Sequence, residues 1–280
     1  MWTKNTANAW NNYFPPNRPS NYELAVCARY ITEIRRTIKR KPRLLVLGST
    51  TEYRTLGVEE NCDVTIIDNS IEYHSAISKE LKYLRAKETI VISNWQNMKF
   101  FNEFDMIVGD LVIGNMHARE IDNFLENIRR ALTRNGIFIT KSFFYNRDRE
   151  ILHPSSFFKT YEDKYSYYDP FPFNAYNLSV YSMNRNSFVL KFTEMFDVVL
   201  KSFFDGFITE KTLNRYKELG WEEALNTEFY MMPKDLWEFK LKSVFDNYII
   251  EYASCYFWSE DFPFYIIQSK QVLEFLSRHK

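Results

Sequence analysis

Residues 43–68, RLLVLGSTTEYRTLGVEENCDVTIID, decide the fold because they alternate between two kinds of structure. Residues 44–47 are a short apolar run that predicts a buried strand, and Gly48 follows directly, where the chain can turn tightly. Residues 53–59 then predict a helix, and residues 64–67 predict a second buried strand. This order is typical of a parallel sheet that is covered by helices on both faces.

The same alternation extends outward from this stretch. Further strands are predicted at 89–92, 105–108 and 137–140, and the clearest amphipathic helix, 121–132, is expected to end at Asn135-Gly136 as a C-cap. Upstream, the capping box that begins at Ser20 opens a helix that ends before Pro42. Two apolar runs after residue 246, joined by a polar loop around 259–263, predict an antiparallel hairpin. The sequence therefore predicts a doubly wound, mostly parallel seven-stranded sheet with this hairpin at its end.

The chain divides into four segments by composition. Residues 1–42 are expected to form a lid segment and the capped helix, and residues 43–145 the α/β core. Residues 146–245 interrupt the alternation and are expected to be a helical, aromatic-rich insertion that forms a pocket. Helices are predicted at 191–204, 209–219 and 233–245, whereas residues 157–190 show no clear hydrophobic period. Residues 246–280 carry the hairpin that completes the sheet.

The composition excludes several classes of function. The chain has 36 basic and 36 acidic residues and a net charge of +0, which argues against a nucleic-acid partner. Cys27, Cys62 and Cys255 lie far apart without the spacing of a zinc site, so we expect reduced thiols in a cytoplasmic protein and no metal. The absence of 18 consecutive apolar residues predicts no membrane association. The sequence leaves open whether the protein forms a homodimer.

The 18% content of aromatic residues has two interpretations. Rings can thicken a hydrophobic core, or they can line a ligand pocket or an interface. The sequence alone leaves both open.

Ligands of doubly wound sheets bind outside the carboxyl ends of the strands, so the residues just after each strand are the candidates for a site. Gly48 is followed by Ser49, Thr50 and Thr51, which offer hydroxyl and amide groups at the start of a helix. Asp68 follows Gly48 by 20 residues and ends the second strand, which is the position of an acid that binds the two hydroxyls of a ribose. Alternatively, Asp68 caps the next helix together with Asn69 and Ser70.

The next two strands add four further candidates. Asn94 and Trp95 follow the third strand, where they could contact a nucleotide base. Asp110 ends the fourth strand at the place expected for a catalytic or cofactor-binding carboxylate, and His117 follows as an acid/base candidate or a structural histidine.

Together these segments resemble the class I S-adenosylmethionine-dependent methyltransferases. LLVLGSTTEYR and VTIIDNS are similar to the first and second motifs of this family, ISNWQNM to the loop that contacts adenine, FDMIVGDLVIGNM to the fourth motif, and IRRALTRNGIFITKSFF to the helix and strand that follow. The C-terminal hairpin is also typical of this family and distinguishes it from NAD-binding Rossmann domains. The resemblance covers residues 43–145 and about 246–270.

The resemblance implies S-adenosyl-L-methionine as the cofactor and a set of residues that bind it: Gly48, Ser49, Thr50, Glu52, Asp68, Asn69, Asn94, Trp95 and Asp110. The first motif departs from the family pattern, because Val46 stands in place of its acidic residue and Thr50 and Glu52 in place of two glycines. It resembles a subgroup with a Thr-then-Glu loop, in which Glu52 would hold the ammonium of the methionine moiety.

The resulting hypothesis is a methyltransferase that acts on a small organic molecule with apolar or aromatic surface, by in-line displacement. If the acceptor must lose a proton, the candidate bases are Asp110, His117, Tyr145 and His153. Three alternatives remain open: an enzyme that transfers or cyclises the aminocarboxypropyl group of the same cofactor, a non-catalytic domain with this fold, and an NAD-dependent oxidoreductase.

Overall fold

The computed structural model describes residues 7–81, 87–221, 227–256 and 259–268. Residues 1–6 and 269–280, which belong to the predicted first and last segments, lie outside this range. Nine strands occur in the described ranges: β1 (Arg43–Leu47), β2 (Asp63–Asp68), β3 (Glu88–Ile92), β4 (Phe104–Asp110), β5 (Leu132–Lys141), β6 (Val189–Lys191), β7 (Glu228–Tyr230), β8 (Asn247–Glu251) and β9 (Phe264–Gln268).

Nine α-helices occur in the same ranges: α1 (Asn21–Thr37), α2 (Thr51–Glu59), α3 (Ile71–Ile77), α4 (Ile121–Ala131), α5 (Pro154–Lys164), α6 (Pro170–Ser182), α7 (Phe192–Phe204), α8 (Glu210–Glu218) and α9 (Lys234–Val244). None of these described helices is both long and apolar enough to cross a membrane.

Seven strands form one sheet in the order β3-β2-β1-β4-β5-β9-β8. Strands β1 to β5 are parallel, whereas β9 pairs with β5 and with β8 in antiparallel orientation. The predicted fold, a mostly parallel sheet with a terminal antiparallel hairpin, is confirmed. The strand order reverses between β1 and β4, which places the switch point at the middle of the sheet.

The residues of β1 explain why both faces of the sheet are covered. Successive side chains of a strand point to opposite faces, and here Leu45 and Leu47 pack into one core cluster while Leu44 and Val46 pack into another. All four side chains are at most 1% exposed. A continuous apolar run is therefore required at this position, rather than an alternating one.

The predicted C-cap at Asn135-Gly136 is wrong, because α4 ends at Ala131 and the chain enters β5 directly at Leu132. Residues 133–136 form an irregularity in the pairing of β5 with β4, where the register shifts between Phe104 and Met106. The glycine thus belongs to a bulge in the strand rather than to the helix end.

The predicted helices at 191–204, 209–219 and 233–245 correspond to α7, α8 and α9. Two further helices, α5 and α6, lie in the aromatic stretch for which the sequence showed no period. Each begins with proline at its first position, and the residue before that proline, His153 or Asp169, accepts a hydrogen bond as its N-cap. The aromatic residues of this part form a core of their own around Phe158, Tyr216 and Trp221.

Gly109 of β4 supports one prediction about stability. A Cβ atom added at this position would overlap Cγ2 of Val112 and lie 3.1 Å from Cβ of Leu47. We expect Gly109→Ala to lower the free energy of unfolding by about 1–3 kcal/mol, because the surrounding core is closely packed. Urea denaturation measures the change. The matched control is Gly114→Ala, whose added Cβ would make an ordinary contact of 3.6 Å with Phe229, and equal losses in the two variants would contradict the prediction.

Candidate functional site

A cavity of about 290 Å³ opens at the carboxyl ends of the central strands, beside the switch point between β1 and β4. Residues that end four strands or come soon after them line it together: Gly48, Ser49, Thr50, Asp68, Asn69, Asn94, Trp95 and Asp110. The structure therefore brings together every residue that the resemblance implied for cofactor binding, except Glu52.

The turn after β1 depends on Gly48. Its φ of +84° lies in the left-handed region, which favours glycine over any residue with a side chain. Its N–H donates a hydrogen bond of 2.8 Å to the carbonyl of Ile67, and the indole N–H of Trp95 donates to the same carbonyl at 3.0 Å. The ring of Trp95 lies against the turn, where a Cβ atom on Gly48 would be 3.5 Å from its Cζ2. Gly48 and Trp95 thus form adjoining walls of the cavity.

Asp68 is held by the protein through both carboxylate oxygens. The hydroxyl of Ser49 donates to Oδ2 at 2.6 Å, and the backbone N–H of Ser70 donates to Oδ1 at 3.0 Å. The N-cap of α3 is Ser70, whose hydroxyl accepts from the N–H of Tyr73 at 3.1 Å. An ionised carboxylate has about four acceptor positions, so two hydrogen bonds leave capacity for the two hydroxyls of a ribose.

Sequence reasoning missed the contribution of His74 to this loop. Its Nδ1 lies 3.0 Å from Oγ of Ser49. The hydroxyl proton of Ser49 is already donated to Asp68, so Nδ1 carries a proton and acts as the donor in this arrangement. Burial lowers the pKa of His74, and the positive charge of Arg54 lowers it further. A neutral His74 therefore holds the side chain of Ser49 in place. In the sequence, only the position of His74 near the start of α3 could have indicated this contact.

A buried charge cluster lies beneath the cavity at the ends of β4 and β5. Nζ of Lys141 is 3.2 Å from Oδ1 of Asp110 and 3.1 Å from Oε2 of Glu23, and the three side chains are at most 3% exposed. The hydroxyl of Tyr256 donates to the other oxygen of Glu23 at 3.0 Å. One buried cation is thus shared by two buried carboxyl groups, and only Asp110 of the three residues lines the cavity.

Burial shifts the proton affinities of this cluster. It raises the pKa of Asp110 to about 7, although the charge of Lys141 lowers it in part. Burial alone would lower the pKa of Lys141, but the charges of Asp110 and Glu23 outweigh it and raise that pKa overall. A carboxyl group that exchanges its proton near neutral pH is suited to general acid–base chemistry.

The shift of Asp110 predicts a dependence of stability on pH. Its pKa rises from 3.8 to about 7 on folding, so the stabilisation that it provides is complete below pH 3.8 and is lost as the pH rises through about 7. The Asp110→Asn variant should therefore gain stability relative to the wild type as the pH rises through this window. The gain is at most roughly 1.4 kcal/mol per pH unit. Urea denaturation at several pH values measures it, and a difference that stays constant would contradict the assignment.

Residues 7–20, which we call the N-terminal strap, lie across the cavity. Trp10 and Asn17 of the strap line it. At one side, the hydroxyl of Tyr13 donates to the carbonyl of Leu219 at 3.0 Å, next to α8. The strap therefore spans from the parallel sheet to the helical part of the chain.

Glu52 lies next to the strap rather than in the wall of the cavity. Its carboxylate forms an ion pair with Arg18 and accepts a hydrogen bond of 3.0 Å from the hydroxyl of Thr51. The guanidinium of Arg18 also lies 5.4 Å from the ring centre of Trp10. The role of Glu52 in cofactor binding stays a prediction.

Three candidate bases are not among the described residues that line the cavity. His117 is exposed, and its backbone N–H donates to Glu120 at 2.9 Å within a turn that precedes α4. The backbone of Tyr145 pairs with that of Met232, and its ring packs on the helical part. His153 is exposed and caps α5. Their catalytic roles stay predictions, whereas Asp110 reaches the cavity.

No protein-family model and no curated protein matches the sequence. Solved structures do resemble the fold. A protein from Rhodobacter sphaeroides that is assigned as a Zn-dependent alcohol dehydrogenase aligns with a TM-score of 0.51 and 14% identity, over 96% of this chain and 100% of that one. The PH0226 protein from Pyrococcus horikoshii OT3 aligns with a TM-score of 0.50 and 11% identity, over 93% and 98%.

A protein from Nostoc punctiforme PCC 73102 that is assigned as an O-methyltransferase aligns with a TM-score of 0.50 and 9% identity, over 88% of this chain. The match spans 55% of that protein's own length. Identities this low show the fold alone. That fold, with its seven-stranded sheet and terminal antiparallel hairpin, is the Rossmann-like fold of class I methyltransferases.

Proposed function

We propose that the protein is an S-adenosylmethionine-dependent methyltransferase that acts on a small organic molecule. The observation that carries this proposal is the convergence of Gly48, Asp68, Trp95 and Asp110 on one cavity at the switch point. Each residue lies at or just after the carboxyl end of a different strand, and each has the chemistry that one part of a nucleoside cofactor requires.

The charges around the cavity support a cationic ligand. Three carboxylates lie among the described residues that line it, those of Asp68, Asp110 and Glu228, and no lysine or arginine does. S-adenosylmethionine carries a positive sulfonium and an ammonium, which such a lining attracts. The diphosphate of a dinucleotide would instead meet like charges, which disfavours an NAD-dependent oxidoreductase.

Within this proposal each part of the site has a role. Asp68 accepts hydrogen bonds from the ribose hydroxyls, while Asn94 and Trp95 contact the adenine. When bound, the cofactor supplies an electrophilic methyl group. Asp110 accepts the proton that a hydroxyl or amine acceptor must lose, and the N-terminal strap excludes water from the cavity.

One experiment separates this proposal from its alternatives. The protein is incubated with S-adenosylmethionine and a small-molecule extract, and the cofactor products are analysed by mass spectrometry. S-adenosylhomocysteine is the product expected of methyl transfer. Methylthioadenosine would instead support transfer or cyclisation of the aminocarboxypropyl group. Unchanged cofactor together with no binding of S-adenosylmethionine would contradict the enzyme and favour a non-catalytic domain.

Glu52 supports a separate prediction. If its carboxylate holds the ammonium of the cofactor, Glu52→Gln should weaken the binding of S-adenosylmethionine roughly tenfold, because a hydrogen bond to a charged group is lost. Isothermal titration calorimetry measures the affinity. The control is Glu60→Gln, which removes the exposed ion pair of Glu60 with Arg35 outside the site. An unchanged affinity in Glu52→Gln would assign this residue to the contact with Arg18 alone.

A further inference from the structure

A second cavity of about 90 Å³ has different chemistry from the first. Seven of the fifteen described residues that line it are aromatic: Tyr13, Phe143, Phe171, Phe192, Phe229, Tyr230 and Phe262. None of the described residues that line it carries a charge. A charged group placed there would lose its hydration without gaining a partner of opposite charge, so the cavity suits an uncharged occupant.

The two cavities meet at Asn17 and Leu111, which line both. Leu111 follows Asp110 and has a φ of +51°, a conformation that residues other than glycine adopt only where their surroundings fix it. Here its N–H donates to the carbonyl of Lys141 at 3.0 Å, and its carbonyl accepts from the side chain of Asn115 at 3.0 Å. The backbone at the junction is therefore held by hydrogen bonds on both sides of Leu111, directly beside the carboxylate that lines the first cavity.

The side chain of Asn17 has an unused hydrogen-bond donor at this junction. Its Nδ2 is buried and has no hydrogen-bond partner in the described part of the chain. A buried amide N–H without a partner is unfavourable, and an occupant that brings an oxygen acceptor would remove this penalty. Asn17 is therefore placed to recognise one polar atom of a ligand whose remaining surface is apolar.

We propose that the aromatic-lined cavity is the acceptor pocket, and that its substrate is an uncharged single-ring compound whose ring oxygen substituent accepts a hydrogen bond from Asn17. This inference rests on the proposed methyltransferase function. An apolar cavity of roughly 150 Å³ holds a benzene molecule. The present cavity is smaller, so a single ring must extend toward the junction, and its oxygen then lies where the two cavities meet.

With the ring oxygen at the junction, that oxygen is the atom that receives the methyl group. The ring oxygen at the junction forms a bond to the methyl carbon while the bond between that carbon and sulfur breaks, and sulfur keeps the electron pair. The proton of the hydroxyl passes to Asp110, on the side of the first cavity. The substrate class is therefore a phenol or a similar ring alcohol, and the expected product is its methyl ether.

The first test compares phenol with benzene, which differ by the hydroxyl alone. Dissociation constants are measured by NMR titration of the full chain in the presence of S-adenosylhomocysteine. Asn17→Leu should weaken phenol binding roughly fivefold, the loss of one neutral hydrogen bond, and leave benzene binding unchanged. Asn11→Leu is the matched control on the same strap, because Asn11 contacts Glu80 and lines neither cavity. Equal effects of Asn17→Leu on both probes would overturn the role of Asn17.

The second test asks whether the cavity excludes a charged ligand and whether phenol binds in this cavity. Benzoate should bind at least roughly tenfold more weakly than phenol, because its charge would be buried without a partner of opposite charge. Ala175→Leu should abolish binding of phenol and benzene by filling the cavity, while calorimetry shows unchanged affinity for S-adenosylhomocysteine. Tight benzoate binding, or phenol binding that Ala175→Leu does not affect, would overturn the inference and leave the methyltransferase proposal intact. Phenol binding without any binding of S-adenosylhomocysteine would instead overturn the methyltransferase proposal.

Discussion

Replacing Lys141 with methionine should lower the free energy of unfolding by about 3–5 kcal/mol, because the change leaves two buried carboxylates without their cation. Glu23 and Asp110 lie within 3.2 Å of the lysine nitrogen, and all three side chains are almost fully shielded from solvent. The same nitrogen donates a hydrogen bond of 3.0 Å to the carbonyl of Arg18, so the N-terminal strap should loosen as well. Urea denaturation measures the loss.

A matched substitution tests whether burial is the cause. Lys191 lies 3.9 Å from Glu228 in an ion pair whose two side chains are about half exposed. Lys191→Met should therefore change the free energy of unfolding by less than about 1 kcal/mol. The loss in Lys141→Met should also diminish as the pH falls below about 7, because Asp110 then becomes protonated and neutral. A loss of the same size in both variants would contradict this account of the cluster.

The second large effect concerns the cofactor. Asp68→Ala should weaken the binding of S-adenosylmethionine by at least roughly a hundredfold, because two hydrogen bonds between the ribose and a charged carboxylate are lost. The variant also removes the acceptor that fixes Ser49, so the turn after β1 is less well ordered. Calorimetric titration of the variant and the wild type measures the difference.

Asp63 provides the control, because it is an exposed aspartate at the opposite end of the same strand β2. Asp63→Ala should leave the affinity for the cofactor within about twofold of the wild type, since surface substitutions away from a site have small effects. If Asp68→Ala bound the cofactor as tightly as Asp63→Ala does, Asp68 would hold only the loop and not the ribose.

The parts of the fold that sequence predicts well are those governed by local patterns. The residues of β1 must be apolar without interruption because alternate side chains enter different core clusters, and this requirement is visible in the sequence. Residues at the ends of neighbouring parallel strands must lie together, so the placement of Asp68 and Asp110 beside Gly48 followed from the strand assignments.

Helix α6 shows why another part was missed. Most of its residues are buried, from Pro170 to Val180, so polar residues do not recur on an outer face and no helical period appears.

The buried charge cluster of Glu23, Asp110 and Lys141 was missed for a different reason. Glu23 and Lys141 are 118 residues apart, and each has a local explanation, as a helix cap and as the end of a strand. Only the folded chain shows that they form one ion pair below the cavity.

The strap over the cavity was anticipated only as a lid, without its contacts. The sequence of this segment has no hydrophobic period, and its position depends on single hydrogen bonds such as the one from Tyr13 to Leu219, 206 residues away. Pairings of this kind leave no pattern in the sequence. The ion pair of Glu52 with Arg18 could not be predicted for the same reason, because Arg18 belongs to this strap.

The proposed function depends above all on the binding of S-adenosylmethionine in the cavity at the switch point. Isothermal titration calorimetry of the full chain with S-adenosylhomocysteine tests it most directly, because the product needs no acceptor and cannot react. Saturable binding of one molecule per chain is the expected result. Absence of binding, or binding of NAD in its place, would contradict the proposed function.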